Sequence, residues 1–246
     1  MKRSLKIGFS LIFGVFAASS VSAQSAAQFV KANQDYAQGH FKEAIDGYEA
    51  VVRSGQRSAN LFYDLGNAYF RTGRLGPAIL NYERALALDR HHPESQANLQ
   101  IARDESRALE LQPTWLKRYL EYANPNQYSV AAAVAFWVGV FSITLLAFPR
   151  RRRGRIFALS ILSWSIFAVT VFGAYKIDSE ARNMAIVTDQ KVQARLATAD
   201  NAGSVLALPP GSEIKILSRR GDWIYAALPN NLRGWIPANA AELIRL

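Results

Sequence analysis

Two uncharged runs, Val130 to Phe148 and Ile156 to Tyr175, constrain this chain more than any other feature. They hold nineteen and twenty residues. At about 1.5 Å of rise per residue, either run as a helix matches a hydrocarbon core roughly 30 Å thick. Only Pro149 to Arg155 separates them, so the expected element is a two-helix transmembrane hairpin with spans at 130–148 and 156–175. The loop between, 149–155, carries Arg150, Arg151, Arg152, Arg153 and Arg155. Short basic loops stay on the cytoplasmic side of a membrane, which places both flanks outside. Lys176 closes the second run, where its amine can extend to the lipid headgroups. Trp115, Tyr119, Tyr122 and Tyr128, in a juxtamembrane segment at 112–129, suit an interfacial aromatic belt or else cover the helical region before them.

The first 23 residues agree with that orientation. Lys2, Arg3 and Lys6 precede an apolar stretch from Ile7 to Ala18, too short to span, and Val21-Ser22-Ala23 has the small residues that signal peptidase requires. The expectation is a secretory signal cleaved after Ala23. Charge is uneven in the same sense. Of 29 Lys and Arg, eight lie at the N-terminus or in the arginine loop, and the rest nearly balance 19 Asp and Glu. A nucleic-acid partner needs bases spread over a folded face, so none is expected. With no Cys and with His40, His91 and His92 as the only histidines, neither a thiolate nor a metal site is indicated. There is no phosphate loop and no nucleophile elbow. The chain reads as a non-enzyme without cofactors.

Comparing the chain with itself at an offset of 34 pairs Gly39 with Gly73, Phe41 with Leu75, Ala44 with Ala78, Ile45 with Ile79, Tyr48 with Tyr82 and Glu49 with Glu83. Residues 59–92 carry Phe62, Leu65, Gly66, Tyr69, Gly73, Ala78, Tyr82 and Ala85 at the packing positions of the tetratricopeptide repeat, which this segment resembles. A first copy at 25–58 is less orthodox, with Ala32 in place of the close-packing glycine and Asp35 in place of a tyrosine. Residues 93–111 place Leu99, Ile101 and Ala102 at helical spacing, but Arg103 interrupts the motif, so this stretch is expected to be a capping helix whose polar face meets water. Two repeats and a cap make a thin solenoid. A partner protein or the membrane is expected to support it.

Asn33 and Asn67 share the ninth repeat position, on the helix that lines the concave face of this family. Their carboxamides either hold the backbone or terminal carboxylate of an extended peptide or simply belong to the repeat consensus. Phe29 and Tyr63 at the fifth positions, with Arg71 as the lone nearby base, equally suit an aromatic groove for an apolar segment.

From Met184 to Leu246 the pattern changes to short β-branched runs at 185–188, 192–196, 205–208, 213–217, 223–227 and 233–236, separated by turn residues such as Pro209-Pro210-Gly211 and Asn230-Asn231. The expectation is a small all-β barrel. Gly221-Asp222-Trp223 followed by Gly234-Trp235-Ile236-Pro237 resembles the bacterial SH3-like family. Trp223 and Trp235 either line a ligand groove or belong to the core, and Trp223 with Tyr225 are the groove candidates. Arg195-Leu196-Ala197 and Ala240 depart from the pattern of modules that grip proline-rich peptides.

The expected whole is therefore multidomain: an all-α tetratricopeptide array, a two-helix transmembrane hairpin and a small all-β SH3-like barrel. That order is similar to the BatE-type family of the Bacteroides aerotolerance operon. The resemblance implies a membrane scaffold working with von Willebrand factor A-domain proteins and a MoxR-type ATPase in envelope stress, its modules on the periplasmic side of the inner membrane. Peptidoglycan contact through the SH3-like module is the alternative, in a cell-wall sensor or tether.

Overall fold

The computed structural model describes residues 24–112, 125–147 and 153–246. The signal segment, Trp115, Tyr119 and Tyr122 of the belt, and Arg150, Arg151 and Arg152 of the loop lie outside the described residues. The chain divides into two compact bodies, one formed by Met1–Leu111 together with Met184–Leu246, the other by Gln112–Asn183. The first is discontinuous in sequence, with the apolar helices inserted between its parts.

Five helices open the first body: α1 (24–37), α2 (Phe41–Arg53), α3 (Ala59–Arg71), α4 (Leu75–Leu88) and α5 (Pro93–Ser106). The turns within the two hairpins place Gly39 at φ 82° and Gly73 at φ 73°, where a Cβ would be strained. α2 buries Ala44, Ile45, Tyr48 and Val51, the spacing of one helical face. α3 starts at Ser58, whose hydroxyl accepts from the Leu61 amide at 3.1 Å, satisfying one of the donors a first turn leaves unpaired. A Cβ on Gly66 would lie 2.7 Å from the Tyr82 ring, so this glycine sets the separation of α3 and α4. The first hairpin reaches the same closeness the other way round. Ala32 stands on α1, and a Cβ on Gly47 of α2 would lie 2.9 Å from it. The missing glycine of the first copy has moved to the facing helix.

Seven strands follow: β1 (Met184–Val187), β2 (Val192–Arg195), β3 (Ser204–Leu208), β4 (Glu213–Arg220), β5 (Trp223–Ala227), β6 (Arg233–Pro237) and β7 (Ala241–Leu243). They form one antiparallel sheet in the order β3-β2-β6-β5-β4-β1-β7. The pattern of runs missed β7, which pairs Ala241 with Val187 and Leu243 with Ala185. Three residues cannot show an alternation, and tertiary pairing alone makes this segment a strand. Ala185, Val187, Ile214, Ile224, Ala226 and Ile236 lead the buried core of this module. Asn230 and Asn231, at φ 62° and 59°, take the left-handed turn between β5 and β6 that asparagine tolerates better than most residues.

The helical array and the β-module are packed into one body. Ile186 is fully buried within the helical core, while its neighbours Ala185 and Val187 point into the β core. A Cβ on Gly76 of α4 would lie 2.7 Å from the Thr188 carbonyl oxygen, and one on Gly211 would collide with Ile79. Beyond α5, the Glu213 amide donates to the Leu109 carbonyl at 2.9 Å, and the Leu109 amide to the Ser212 hydroxyl at 3.1 Å. Arg103 is only 13 % exposed and pairs with Glu83 at 2.6 Å and with Glu213. Arg84 donates to Glu242 at 3.1 Å and to the Leu243 carbonyl at 3.0 Å. One expectation changes here. The cap's polar face does not simply meet water, because Arg103 is enclosed by carboxylates from α4 and β4. The chain's own C-terminal module also packs on the array.

The second body holds two apolar helices, α6 (Pro125–Leu146) and α7 (Arg153–Arg182). Both are long and apolar enough to cross a membrane. They pack through small and aromatic residues. The Ser163 hydroxyl donates to the Ala135 carbonyl at 2.6 Å, a Cβ on Gly139 would lie 2.9 Å from the Trp164 indole nitrogen, and Phe136 meets Trp164 and Phe167 edge-on or tilted. Their bounds differ from the uncharged runs. Arg153 and Arg155 belong to the first turn of α7 rather than to the loop, Tyr128 belongs to α6, and α7 continues past Lys176 to Arg182. Loss of hydrophobicity does not end a helix, since backbone bonding propagates across polar residues. The Arg182 guanidinium paired with Asp178 one turn earlier supports that continuation.

Candidate protein-interaction groove

The 34-residue offset that aligns α1 with α3 also carries on to α5, so three triplets share a register: Phe29, Tyr63 and Ala97; Val30, Asp64 and Asn98; Asn33, Asn67 and Ile101. The structure brings these neighbours together. The Asn98 amide donates to Asn67 Oδ1 at 2.8 Å and lies 3.5 Å from the Tyr63 hydroxyl. Val30 and Ile101 are each 54 % exposed, unusual for branched apolar side chains in the middle of a packed array, and Asn33 is exposed as well.

Asn33 and Asn67 hold equivalent places. Asn33 Oδ1 accepts from the Tyr48 hydroxyl at 2.7 Å, and Asn67 Oδ1 accepts from the Tyr82 hydroxyl at 2.8 Å. In each hairpin this bond ties the first helix to the second. Burial pushes both tyrosine hydroxyls well above their ordinary pKa, so each stays a donor to its asparagine. The carboxamide oxygens are therefore committed to the fold, and what remains for a ligand is their NH2 groups. Phe29 packs on Tyr48 at 5.8 Å between ring centroids, and Tyr63 on Tyr82 at 6.2 Å. Both rings are half-buried and pack against the helical core. Arg71 is less available than its position suggested, because its guanidinium lies 4.4 Å over the Phe41 ring, a cation–π contact from the end of α3 to the start of α2.

Two residues that the sequence reading passed over complete the surface. Asp64 follows Asn60 by four residues on α3 and precedes Asn67 by three, one helical stripe. It makes no hydrogen bond or ion pair among the described residues, and burial raises its pKa to about 6, with the charge of nearby His92 acting in the other direction. His92 caps α5: its Nδ1 accepts from the Ser95 amide at 3.2 Å, and Nε2 lies 3.2 Å from Asn60 Oδ1. The Ser95 hydroxyl lies 3.0 Å from the same Nδ1. Glu94 lies 3.4 Å from Nδ1. The offset alone could have flagged Asp64, since Val30 and Asn98 occupy its place in the neighbouring helices.

The other candidates lie on the β-module. Trp223, Tyr225 and Trp235 are half-buried on the face opposite Ile224, Ala226 and Ile236, and neither tryptophan joins the buried core. Tyr225 and Trp235 are cross-strand partners with ring centroids 5.0 Å apart, and Trp223 pairs with Pro237. Trp235 thus belongs with the two groove candidates. Among the described residues no cluster of His, Cys, Asp and Glu is arranged to hold a metal.

A family model for the tetratricopeptide repeat matches residues 59–92. This segment is a tetratricopeptide repeat, a protein-interaction module. No curated protein matches the chain. Among solved structures, the chain is similar to one described as "YrrB: a TPR protein with an unusual peptide-binding site", at 18 % identity, covering 63 % of this chain and 76 % of that one with a TM-score of 0.33.

Proposed function

We propose that this chain is a non-catalytic scaffold of the bacterial inner membrane, whose repeat groove holds a protein partner on the periplasmic side. The observation that carries the reading is the open inner face of the repeats: Val30, Asn33 and Ile101 stay exposed although a second module of the same chain is packed on α4 and α5. The apolar surfaces of α6 and α7 support the membrane anchor. Phe141 and Val169 are 62 % and 71 % exposed, a cost in water that lipid removes. The orientation follows from the arginines between the spans, and the partners implied by resemblance are von Willebrand factor A-domain proteins with a MoxR-type ATPase.

The topology is tested with single cysteines, for which a chain lacking Cys is well suited. Cysteines at Gln96 and Asn201, both exposed, are expected to react with a membrane-impermeant thiol reagent once the outer barrier is opened, and one at Gly154 to stay unlabelled. The opposite pattern overturns the orientation. A second reading, a cell-wall tether acting through an SH3-like module, is favoured by the outward aromatic face of Trp223, Tyr225 and Trp235. Sedimentation with purified sacculus separates the two, because a scaffold has no need to bind wall polymer.

A further inference from the structure

We propose that the outward face of strands β4, β5 and β6 docks on the headgroups of anionic phospholipid, in the membrane that α6 and α7 enter. This rests on the reading of those helices as spans, and it gives the aromatic face of the β-module a lipid occupant instead of wall polymer. The face is defined by pairing, since directly opposed residues of neighbouring strands share one side of a sheet. Trp235 opposes Tyr225, and Trp223 opposes Pro237. Cations stand in the same rows: Arg220 opposes Trp223, Arg195 opposes Trp235, and Ala227 lies between Lys215 and Arg233. No carboxylate occupies these rows. Arg220 and Arg233 are exposed and make no ion pair among the described residues, whereas the Arg195 guanidinium is held by the carbonyls of Asp200 and Ala202. The nearest acid in sequence, Asp222, lies in the turn between β4 and β5.

Tryptophan and tyrosine rings bordered by cations match a membrane interface, where amphipathic rings settle at headgroup depth and bases meet anionic lipid. Chain length favours that surface over a soluble acidic partner. The uncharged run ends at Tyr175, α7 ends at Arg182, and Asn183 alone precedes β1. The helix past Tyr175 rises roughly 10 Å, against a headgroup layer of about 5 to 8 Å. The module is thus tethered without a flexible linker within reach of the lipid surface, at a high effective concentration.

The test uses the full chain in nanodiscs, with a fluorophore attached through Ser218→Cys, at the exposed residue opposing Tyr225, or through Gln96→Cys on exposed α5 surface as the control. In discs of phosphatidylcholine mixed with phosphatidylglycerol, the probe at 218 is expected to be shielded from acrylamide, a neutral quencher. In pure phosphatidylcholine it should be open, and the probe at 96 open in both. High salt should release the shielding. Arg220→Gln and Arg233→Gln are each expected to lower the ratio of docked to undocked module about fivefold, while Arg220→Lys keeps the charge and the shielding. Equal quenching at 218 in the two lipids overturns the inference, as does shielding unchanged in the Arg220→Gln, Arg233→Gln double variant. Shielding by a soluble acidic peptide or by wall fragments added to phosphatidylcholine discs, with no effect of phosphatidylglycerol, overturns it in favour of that ligand. A chain released from membranes by alkaline carbonate overturns the reading of α6 and α7 as spans, a failure distinct from that of the docking face.

Discussion

At the scale of single residues, the chain separates groups that hold the fold from groups that the fold tolerates. Gly66 is of the first kind. The Tyr82 ring leaves no room for a Cβ, so Gly66→Ala is expected to cost about 1 to 3 kcal/mol through overpacking, seen as a lowered midpoint in urea. Asp64 is of the second kind, and its pH dependence has a definite sign. Its folded pKa, about 6, lies above the roughly 3.9 of an unfolded aspartate, so the folded state binds the extra proton. Its contribution to stability is then fully present below about pH 4 and lost as pH rises through 6. Stability of Asp64→Asn minus that of the wild type should grow across that window and level off above it. A difference that shrinks as pH rises would show the carboxylate to be paired. Arg103 is of the first kind again. It is enclosed by Glu83 and Glu213, and Arg103→Ala leaves two carboxylates without their cation, an expected loss of about 3 to 5 kcal/mol in the same unfolding measurement.

At the scale of elements, β5 and β6 show how one alternation carries two kinds of residue. Ile224 and Ile236 are fully buried, while Tyr225 and Trp235 pair on the other face. Ile236→Ala is expected to lose about 2 to 5 kcal/mol of stability. Trp235→Ala removes a cross-strand aromatic contact of about 0.5 to 1.5 kcal/mol together with some partly buried area, so it should leave a folded sheet with the smaller drop in melting temperature. If Trp235→Ala proves the more damaging of the two, the outward face is structural and the second reading of function loses its support. β1 is read differently from its neighbours. Ala185, Ile186 and Val187 are buried in succession because the strand is covered on both faces, the condition under which alternation disappears.

At the scale of the whole molecule, the consequence is mutual dependence across the inserted helices. A β-module cut out as 184–246 exposes Ile186 and separates Glu213 from Arg103; a repeat fragment ending at 111 uncovers Ile79 and Arg84. Each piece alone is expected to unfold at a lower temperature than the full chain, and the two expressed together to co-purify. A fragment of 184–246 that melts cooperatively at the full-chain temperature would show that the interface contributes nothing. Both ends of the α6–α7 insertion return to one body, so the repeats and the β-module form a shared packing unit.

The amino-acid sequence by itself determined whatever depends on local period and local chemistry. A repeat of 34 made the helical hairpins legible through Gly73, Ala78 and Tyr82, two uncharged runs marked α6 and α7, and short apolar runs bounded by Pro209-Pro210-Gly211 and Asn230-Asn231 marked most of the strands. Asn33 and Asn67, and Phe29 and Tyr63, were legible as equivalent pairs for the same reason, and they make equivalent contacts with Tyr48 and Tyr82. Only the tertiary structure decided that Gly47 replaces the glycine absent at Ala32, that Arg103 is enclosed rather than solvated, and that β7 exists. These depend on contacts between segments distant in the chain, where neither spacing nor residue type records which surfaces meet.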